Sequence, residues 1–387
     1  MSVTREEAIA LFARLGDAVN RHDMATIMAQ YAEDATVVSP AFHEMHGKAA
    51  IAASWQTTFA AFPDWTVSDV DVMVDGDRIL GIAFNSFTDN KGWFGLPPTG
   101  ERVTYRNLLL LTLADGKVVR EERVYDIGAV VGVLEKARLE HELKTAAQVQ
   151  SALLSRAVRK GSYYEAIGDS APCRSIGGDF FEFMELPSGG LAIVIGDVSG
   201  KGAPAALLAA MLQGMLAVEA QGESHPAAVM LRLNRALLAR GLGEQFATLV
   251  YAVLSPDGRF TYCNAGHNAP ILFAGDGTVR LTTGGLVAGG LPEATYEEES
   301  IQLQNGDTVV MFTDGVTEAR NSESEEFGDA RLLARLNVSR KESPPAIVKN
   351  VLEAVHEFCG NAQPADDITV AVIRFHSRAS REAVAAV

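Results

Sequence analysis

Ile9, Phe12, Leu15 and Val19 recur at three- and four-residue steps, so the chain opens on a helix with one apolar face. Further helices are predicted in DMATIMAQYA and HGKAAIAASWQTTFAAF. The period then changes to alternation. WTVSDVDVMV, RILGIAFNSF, RVTYRNLLLLTL and KVVREERVYDI read as strands, and Asp75-Gly76-Asp77 and Asp115-Gly116 between them suit tight hairpins. Helices followed by an antiparallel sheet make an α+β plan for a first domain over residues 1–132. Trp55, Phe59, Phe62, Trp65, Trp93 and Phe94 are either its core or the lining of a pocket, and periodicity does not separate the two.

Residues 133–158, VLEKARLEHELKTAAQVQSALLSRAV, contain neither Gly nor Pro. Leu139, Leu143, Ala146, Gln150 and Leu153 alternate four- and three-residue steps, as a coiled-coil seam does. Two readings stand: a helix packed on one domain, or a linker that forms a homodimer. Residues 159–377 mix strands (GLAIVIGDV, FATLVYAVLS, RFTYCNA, DTVVMFTDG, DDITVAVIRF) with helices (PAALLAAMLQGMLAVEA, HPAAVMLRLNRALLAR, and two more near DARLLARL and PAIVKNVLEAVHEF). The remainder, 378–387, reads as an unattached tail.

A length of 387 residues suggests two or three domains, and 48% hydrophobic residues are enough to fold them. The formal net charge of −16 argues against nucleic acid or an anionic membrane as partner, because both require clustered Lys and Arg. Three cysteines, Cys173, Cys263 and Cys359, show no CxxC spacing, which supports neither a disulfide framework nor a zinc ribbon and fits a reducing compartment. The N-terminus has early acids and no apolar h-region, and ALLAAMLQGMLAV is too short to span a bilayer. A soluble cytoplasmic protein is expected.

Gly196 to Gly202, GDVSGKG, invites a phosphate-loop reading, which fails: Ile195 stands where the first Gly of GxxxxGK(S/T) is needed, and Gly202 where the hydroxyl is needed. What remains is a carboxylate at the end of an apolar run, LAIVIGD. The same context recurs at Asp179 in SIGGDFFEF, Asp314 in VVMFTDGVTEA, and Asp366 with Asp367 in PADDITVAV. Asp beside Gly is common turn chemistry, so no single one of these acids is a site. Several at strand margins, converging on one cleft, would repel one another and raise their pKa values unless divalent cations were present. With only oxygen ligands, the site favours Mg²⁺ or Mn²⁺ over Zn²⁺.

GGDFFEF, GDVSGKG, NAGHNAP, FTDGVTEAR and DDITV, in that order, resemble the PPM metal-dependent protein serine/threonine phosphatases, and more closely their SpoIIE/RsbU-like bacterial branch. AAQVQSALLS resembles the helical lead-in of that branch. The resemblance implies an α-β-β-α sandwich and two Mn²⁺ or Mg²⁺ ions. Asp197 bridges them, with the Val198 carbonyl on one; Asp314 and Asp366 complete the other metal's ligands, and Asp179 serves the second metal partly through water. Arg174 matches a phosphate-gripping arginine, or else is a surface salt bridge. The implied substrate is a phosphorylated STAS-domain anti-sigma-factor antagonist. Two positions depart from the pattern. Ser199 replaces a His of many eukaryotic members, leaving protonation of the departing serine to water, and Glu182 replaces an Asp, as an outer residue only. His267 fits a strand-connecting turn better than catalysis, Lys201 a helix start or surface, and Glu323, Glu325 and Glu326 a solvated loop.

YAEDATVVSP, FPDWTV, VDGDRI, GLPPTGERV and DGKVVREERVYD resemble the SnoaL-like proteins, cones of helices wrapped by a curved sheet around an apolar pocket. The resemblance implies a small-ligand sensor, with Asp126 matching a pocket acid of cyclase members. His43 and His46 are expected on a loop rather than at a metal. The leading expectation is a sensor-controlled phosphoserine phosphatase. A catalytically silent phosphatase-fold scaffold, or a bifunctional protein with a working cyclase or isomerase cone, are the rivals.

Overall fold

The computed structural model describes residues 3–92, 97–153, 158–222, 225–241, 245–362 and 364–377; Trp93, Phe94 and the tail 378–387 lie outside them. The chain divides into two compact units, Met1–Glu142 and Leu143–Val387.

In the first unit, helices α1 (Arg5–Asn20), α2 (Met24–Ala29) and α3 (Gly47–Ala61) accompany strands β1 (Tyr31–Ser39), β2 (His43–His46), β3 (Thr66–Asp75), β4 (Arg78–Thr88), β5 (Arg102–Ala114) and β6 (Lys117–Val124). Thr4 starts α1 with a capping box: its hydroxyl accepts from Glu7 N–H while the Glu7 carboxylate accepts from Thr4 N–H. The sheet order is β2-β1-β6-β5-β4-β3. All pairs are antiparallel except β1 with β6. That parallel pair turns a predicted four-strand meander into six strands. Alternation along the polar start of YAEDATVVS is weak, and pairing with β6 on one side and β2 on the other makes it a strand. His43 and His46 are exposed on β2, not on a loop. The predicted hairpins form as expected: Asp115 and Gly116 both take positive φ, the requirement of a tight two-residue turn. Phe62, Trp65 and Phe87 pack together in the core between helices and sheet.

Helix α4 (Ile127–Leu153) begins earlier than residue 133 because Asp126 caps it, accepting from Ala129 N–H at 2.9 Å. Val130 and Leu134 are buried in the first unit's core, whereas Leu139 and Val149 are 57% and 61% exposed.

The second unit contains β7 (Arg159–Lys160), β8 (Tyr164–Ala171), β9 (Phe180–Glu185), β10 (Leu191–Val198), α5 (Ala203–Glu219), α6 (Pro226–Leu238), β11 (Ala247–Leu254), β12 (Arg259–Ala265), β13 (Ile271–Ala274), β14 (Gly277–Arg280), β15 (Gly284–Gly285), β16 (Glu299–Gln302), β17 (Thr308–Phe312), α7 (Asp314–Thr317), α8 (Gly328–Ser339), α9 (Pro344–Cys359) and β18 (Ile368–Phe375). One sheet runs β15-β12-β11-β10-β9 with β16 also on β12; the other runs β14-β13-β17-β18-β8-β7. Strand β10 is apolar on both faces because both are covered. Ile193 and Ile195 enter the layer between the sheets with Val309, Met311 and Ile373, while Ala192 and Val194 face α5 and α6. Helices α8 and α9 close the outer side of the second sheet. This is the expected α-β-β-α sandwich. Among the described residues, no helix is long and apolar enough to cross a membrane.

Candidate active site

The two sheets bring four acids from distant parts of the chain to one end of the sandwich. Phe180 pairs with Gly196, so Asp179, just before β9, and Asp197, near the end of β10, are neighbours. Phe312 pairs with Val370, which sets Asp314 at the start of α7 close to Asp366 and Asp367 ahead of β18. Thr313 ties the sheets together: its hydroxyl donates to the Asp179 carboxylate at 2.7 Å and accepts from Thr369 N–H at 3.1 Å. After Asp197 the chain must turn sharply into α5. Gly200 and Gly202 do so at φ of +95° and +74°, values that strain any residue with a Cβ. The glycines of GDVSGKG therefore serve a backbone turn.

Burial, then repulsion from Asp197, holds the Asp179 carboxyl well above the ordinary range. Burial, followed by the charges of Asp314 and Asp366, pushes Asp197 up to about 7. Asp314 is raised by burial and then by Asp366. A cluster that suppresses its own ionisation has a deficit of positive charge, and all its donors are oxygens, which suits hard divalent cations. Gly178 keeps the backbone beside this cluster free of a side chain: a Cβ there would lie 2.9 Å from the Val198 carbonyl oxygen and 3.4 Å from Asp197 Oδ1.

Several neighbours have roles that the sequence pattern did not assign. Lys201, expected at a helix start or surface, reaches Asp366 at 2.8 Å and the Ala365 carbonyl at 2.5 Å. Asp367 is not interchangeable with Asp366. Its two oxygens accept from the N–H groups of Cys173 and Gly178, each at 2.8 Å, so it fastens the loop that carries Asp179. Cys173 lies with Asp366 and Asp367 in a cluster of metal-ligand type, and burial, then the Asp367 charge, push its thiol up to about 11. Gln150 of α4 grips the same loop, donating to the Gly177 carbonyl at 2.7 Å and accepting from its N–H at 3.2 Å.

Arg174 is exposed on this loop, and no hydrogen bond or ion pair holds it among the described residues, so the salt-bridge alternative is not formed. The Ser199 hydroxyl accepts from Phe246 N–H at 2.9 Å and pins a loop. Glu182 is half-buried and makes no hydrogen bond to the four acids; burial raises its carboxyl. His267 is buried and neutral, held down to about 4 by burial, with Nδ1 2.8 Å from Thr248 Oγ1; the Asn264 side chain closes the turn around it. Asp126 is exposed and does not line the first unit's cavity, where the buried acid is Glu121. The correction has a simple cause: a three-residue reach to Ala129 N–H makes Asp126 a helix cap, and period-two alternation points Glu121 and Arg123 inward instead.

The family profile described as Stage II sporulation protein E (SpoIIE) matches residues 187–376, and that of the SnoaL-like domain matches residues 12–121. The chain is 31% identical over 240 residues to the phosphoserine phosphatase RsbU of Bacillus subtilis (strain 168), an alignment spanning 61% of this chain and 70% of that protein. The chain belongs to the SpoIIE/RsbU family of PP2C-type serine phosphatases. It is also 30% identical over 264 residues to the protein IcfG of Synechocystis sp. (strain ATCC 27184 / PCC 6803 / Kazusa), covering 60% of this chain and 41% of that one. The SiaA-PP2C domain of Pseudomonas aeruginosa shares the fold of the second unit: 22% identity, a TM-score of 0.55, and coverage of 62% of this chain and 98% of that chain. Catalysis in this family depends on metal. The phosphatase sandwich is thus joined in one SpoIIE/RsbU-type chain to a SnoaL-like unit.

Proposed function

We propose that this protein is a sensor-controlled phosphoserine phosphatase that uses two Mn²⁺ or Mg²⁺ ions and acts on a phosphorylated STAS-domain anti-sigma-factor antagonist. The observation that carries the reading is the convergence of Asp179, Asp197, Asp314 and Asp366, whose burial and mutual repulsion leave room for added positive charge. Asp197, the Val198 carbonyl, Asp314, Asp366 and Asp179 are the residues that would hold the ions. Divalent ions, when bound, supply hydroxide near neutral pH and neutralise charge developing on phosphorus. Arg174, exposed and free of an ion pair among the described residues, is available to grip the phosphate dianion. Ser199 is engaged with Phe246, and His267 is buried and neutral, so solvent water protonates the departing serine.

The first unit senses a small ligand, and α4, whose Gln150 holds the loop next to Asp179, carries the signal. Leu139 and Ala146 of the α4 seam are exposed and fit a homodimer over that stretch, whereas Gln150 of the same seam is engaged with Gly177. A working cyclase in the first unit lacks its expected acid, since Asp126 is a helix cap. Incubating the full chain with a phosphoserine STAS-domain protein and Mn²⁺ should release phosphate. Equal release by Asp197→Asn would overturn the assignment.

A further inference from the structure

The first unit encloses a cavity between its helices and the concave face of its sheet, with about 800 Å³ of space between wall atoms, the part open to solvent included. Its walls are mainly apolar and aromatic, Phe12, Val19, Trp65 and Leu111 among them. At one side stands a buried polar group. Arg123 Nε donates to Glu121 Oε1 at 2.5 Å, and the Tyr31 hydroxyl donates to Glu121 Oε2. Both Glu121 oxygens are thereby engaged, and the pair cancels its own charge. The Arg123 guanidinium also lies over the Trp55 ring at 4.9 Å.

In this wall Arg123 Nη2, Trp55 Nε1 and Asn107 Oδ1 are buried and have no hydrogen-bond partner among the described residues. Buried polar atoms are normally satisfied, so a donor pair and an acceptor left together in a cavity mark where a ligand group or ordered water sits. Asn107 and Arg123 are close enough to share one group. Leu109 pairs with Arg123 across β5 and β6, which makes Asn107, two residues away on the same face, its diagonal neighbour.

We propose that this cavity binds an uncharged, planar aromatic molecule whose carbonyl accepts from Arg123 and Trp55 and whose N–H or O–H donates to Asn107. The body is apolar because the walls are. It is uncharged because the buried cation is already committed to Glu121, so an added charge would enter without a counter-ion. The polar head carries both an acceptor and a donor because the three orphaned atoms are of both kinds. The assignment rests on the reading of this unit as a sensor, and it sharpens that reading from any small ligand to one class.

Three probes of matched shape test it by calorimetry on the full chain: 2-naphthamide, 2-naphthoate and naphthalene. The amide should bind about tenfold or more tighter than either of the others, since one satisfied hydrogen bond is worth about that factor. Asn107→Leu should remove most of that advantage while leaving naphthalene unaffected. Trp55→Phe removes the indole N–H together with the pyrrole ring, so it supplies a second test in which naphthalene binding reads the lost packing and the further loss for the amide reads the hydrogen bond. The class is wrong if naphthoate binds as tightly as the amide, if the amide does not bind the wild-type chain, or if both variants bind it undiminished. Phosphate release is read in parallel. Amide binding that leaves the rate unchanged sinks the sensor role alone; failure to bind beside an intact rate sinks the ligand class alone.

Discussion

Each unit of this protein buries carboxylates, and they are treated in opposite ways. In the first, Glu121 is matched by Arg123 and Tyr31, both donors of the chain itself, and the group is neutral as folded. In the second, Asp179, Asp197 and Asp314 press on one another with Asp366, and Lys201 on Asp366 is the cation in contact. A neutral set is finished by the chain; a set short of positive charge is finished by something from solution. In the reading proposed above, that difference separates a site for an uncharged molecule from a site for metal ions, although both look like buried acids beside a cleft.

The comparison is broken most directly at Asp197. Asp197→Asn should lower phosphate release by about a thousandfold, the scale of several kcal/mol of lost electrostatic stabilisation. In chelator the same variant should melt at or above the wild-type temperature, because a repulsive charge has gone. A melting temperature that falls in chelator would mean the acids are already compensated. In the first unit the sign reverses. Arg123→Met leaves Glu121 buried without its cation and should cost about 3–5 kcal/mol in chemical unfolding, whereas the double variant Arg123→Met with Glu121→Leu recovers most of it. A small cost for the single variant would show the pair to be solvated.

A third experiment follows stability with pH. The folded Asp197 carboxyl is raised from 3.8 to about 7, so the folded state holds this proton more tightly than the unfolded chain does. Its favourable contribution is complete below about pH 4 and is lost as pH rises through 7. Metal-free protein should therefore lose stability across that window, and saturating Mn²⁺ should remove the slope. A flat profile in chelator would count against repulsion in the cluster. Lys201→Met removes a cation that competes for Asp366, and should tighten Mn²⁺ binding by about threefold to tenfold in a calorimetric titration. The smallest effect is expected from Gln150→Ala. Losing two hydrogen bonds to Gly177 should reduce turnover a few-fold with little change in overall melting. An unaltered rate would remove α4 from the control of this loop.

Much of the second unit was legible in its sequence, and the reason is physical. LAIVIGDV and ITVAVIRF are buried on both faces and read as unbroken apolar runs, while α9 and α6 carry strong one-sided apolar patterns. The acids stand where those runs stop. The short strands β13 to β16 were not legible, since two to four residues hold too little pattern and become strands only through their partners. Lys201 and Asp367 were missed for a related reason. Lys201 meets Asp366, and Asp367 meets Cys173 and Gly178, across long separations in the chain, so local composition carries no trace of either contact. In the first unit, Asp126 and Glu121 show the same limit from the other side. Both are acids near the last strand, and only orientation tells a helix cap from a cavity wall.

By itself the sequence determined the long helices and the long apolar strands, which carboxylates end strands, and which glycines permit the turn after Asp197, because these follow from side-chain periodicity and backbone sterics that act over a few residues. Only the tertiary structure decided which acid meets a cation and which meets another acid. Charge compensation depends on distances between groups that the chain separates, and a folded sheet is what brings Asp179 to Asp197 and Arg123 to Glu121.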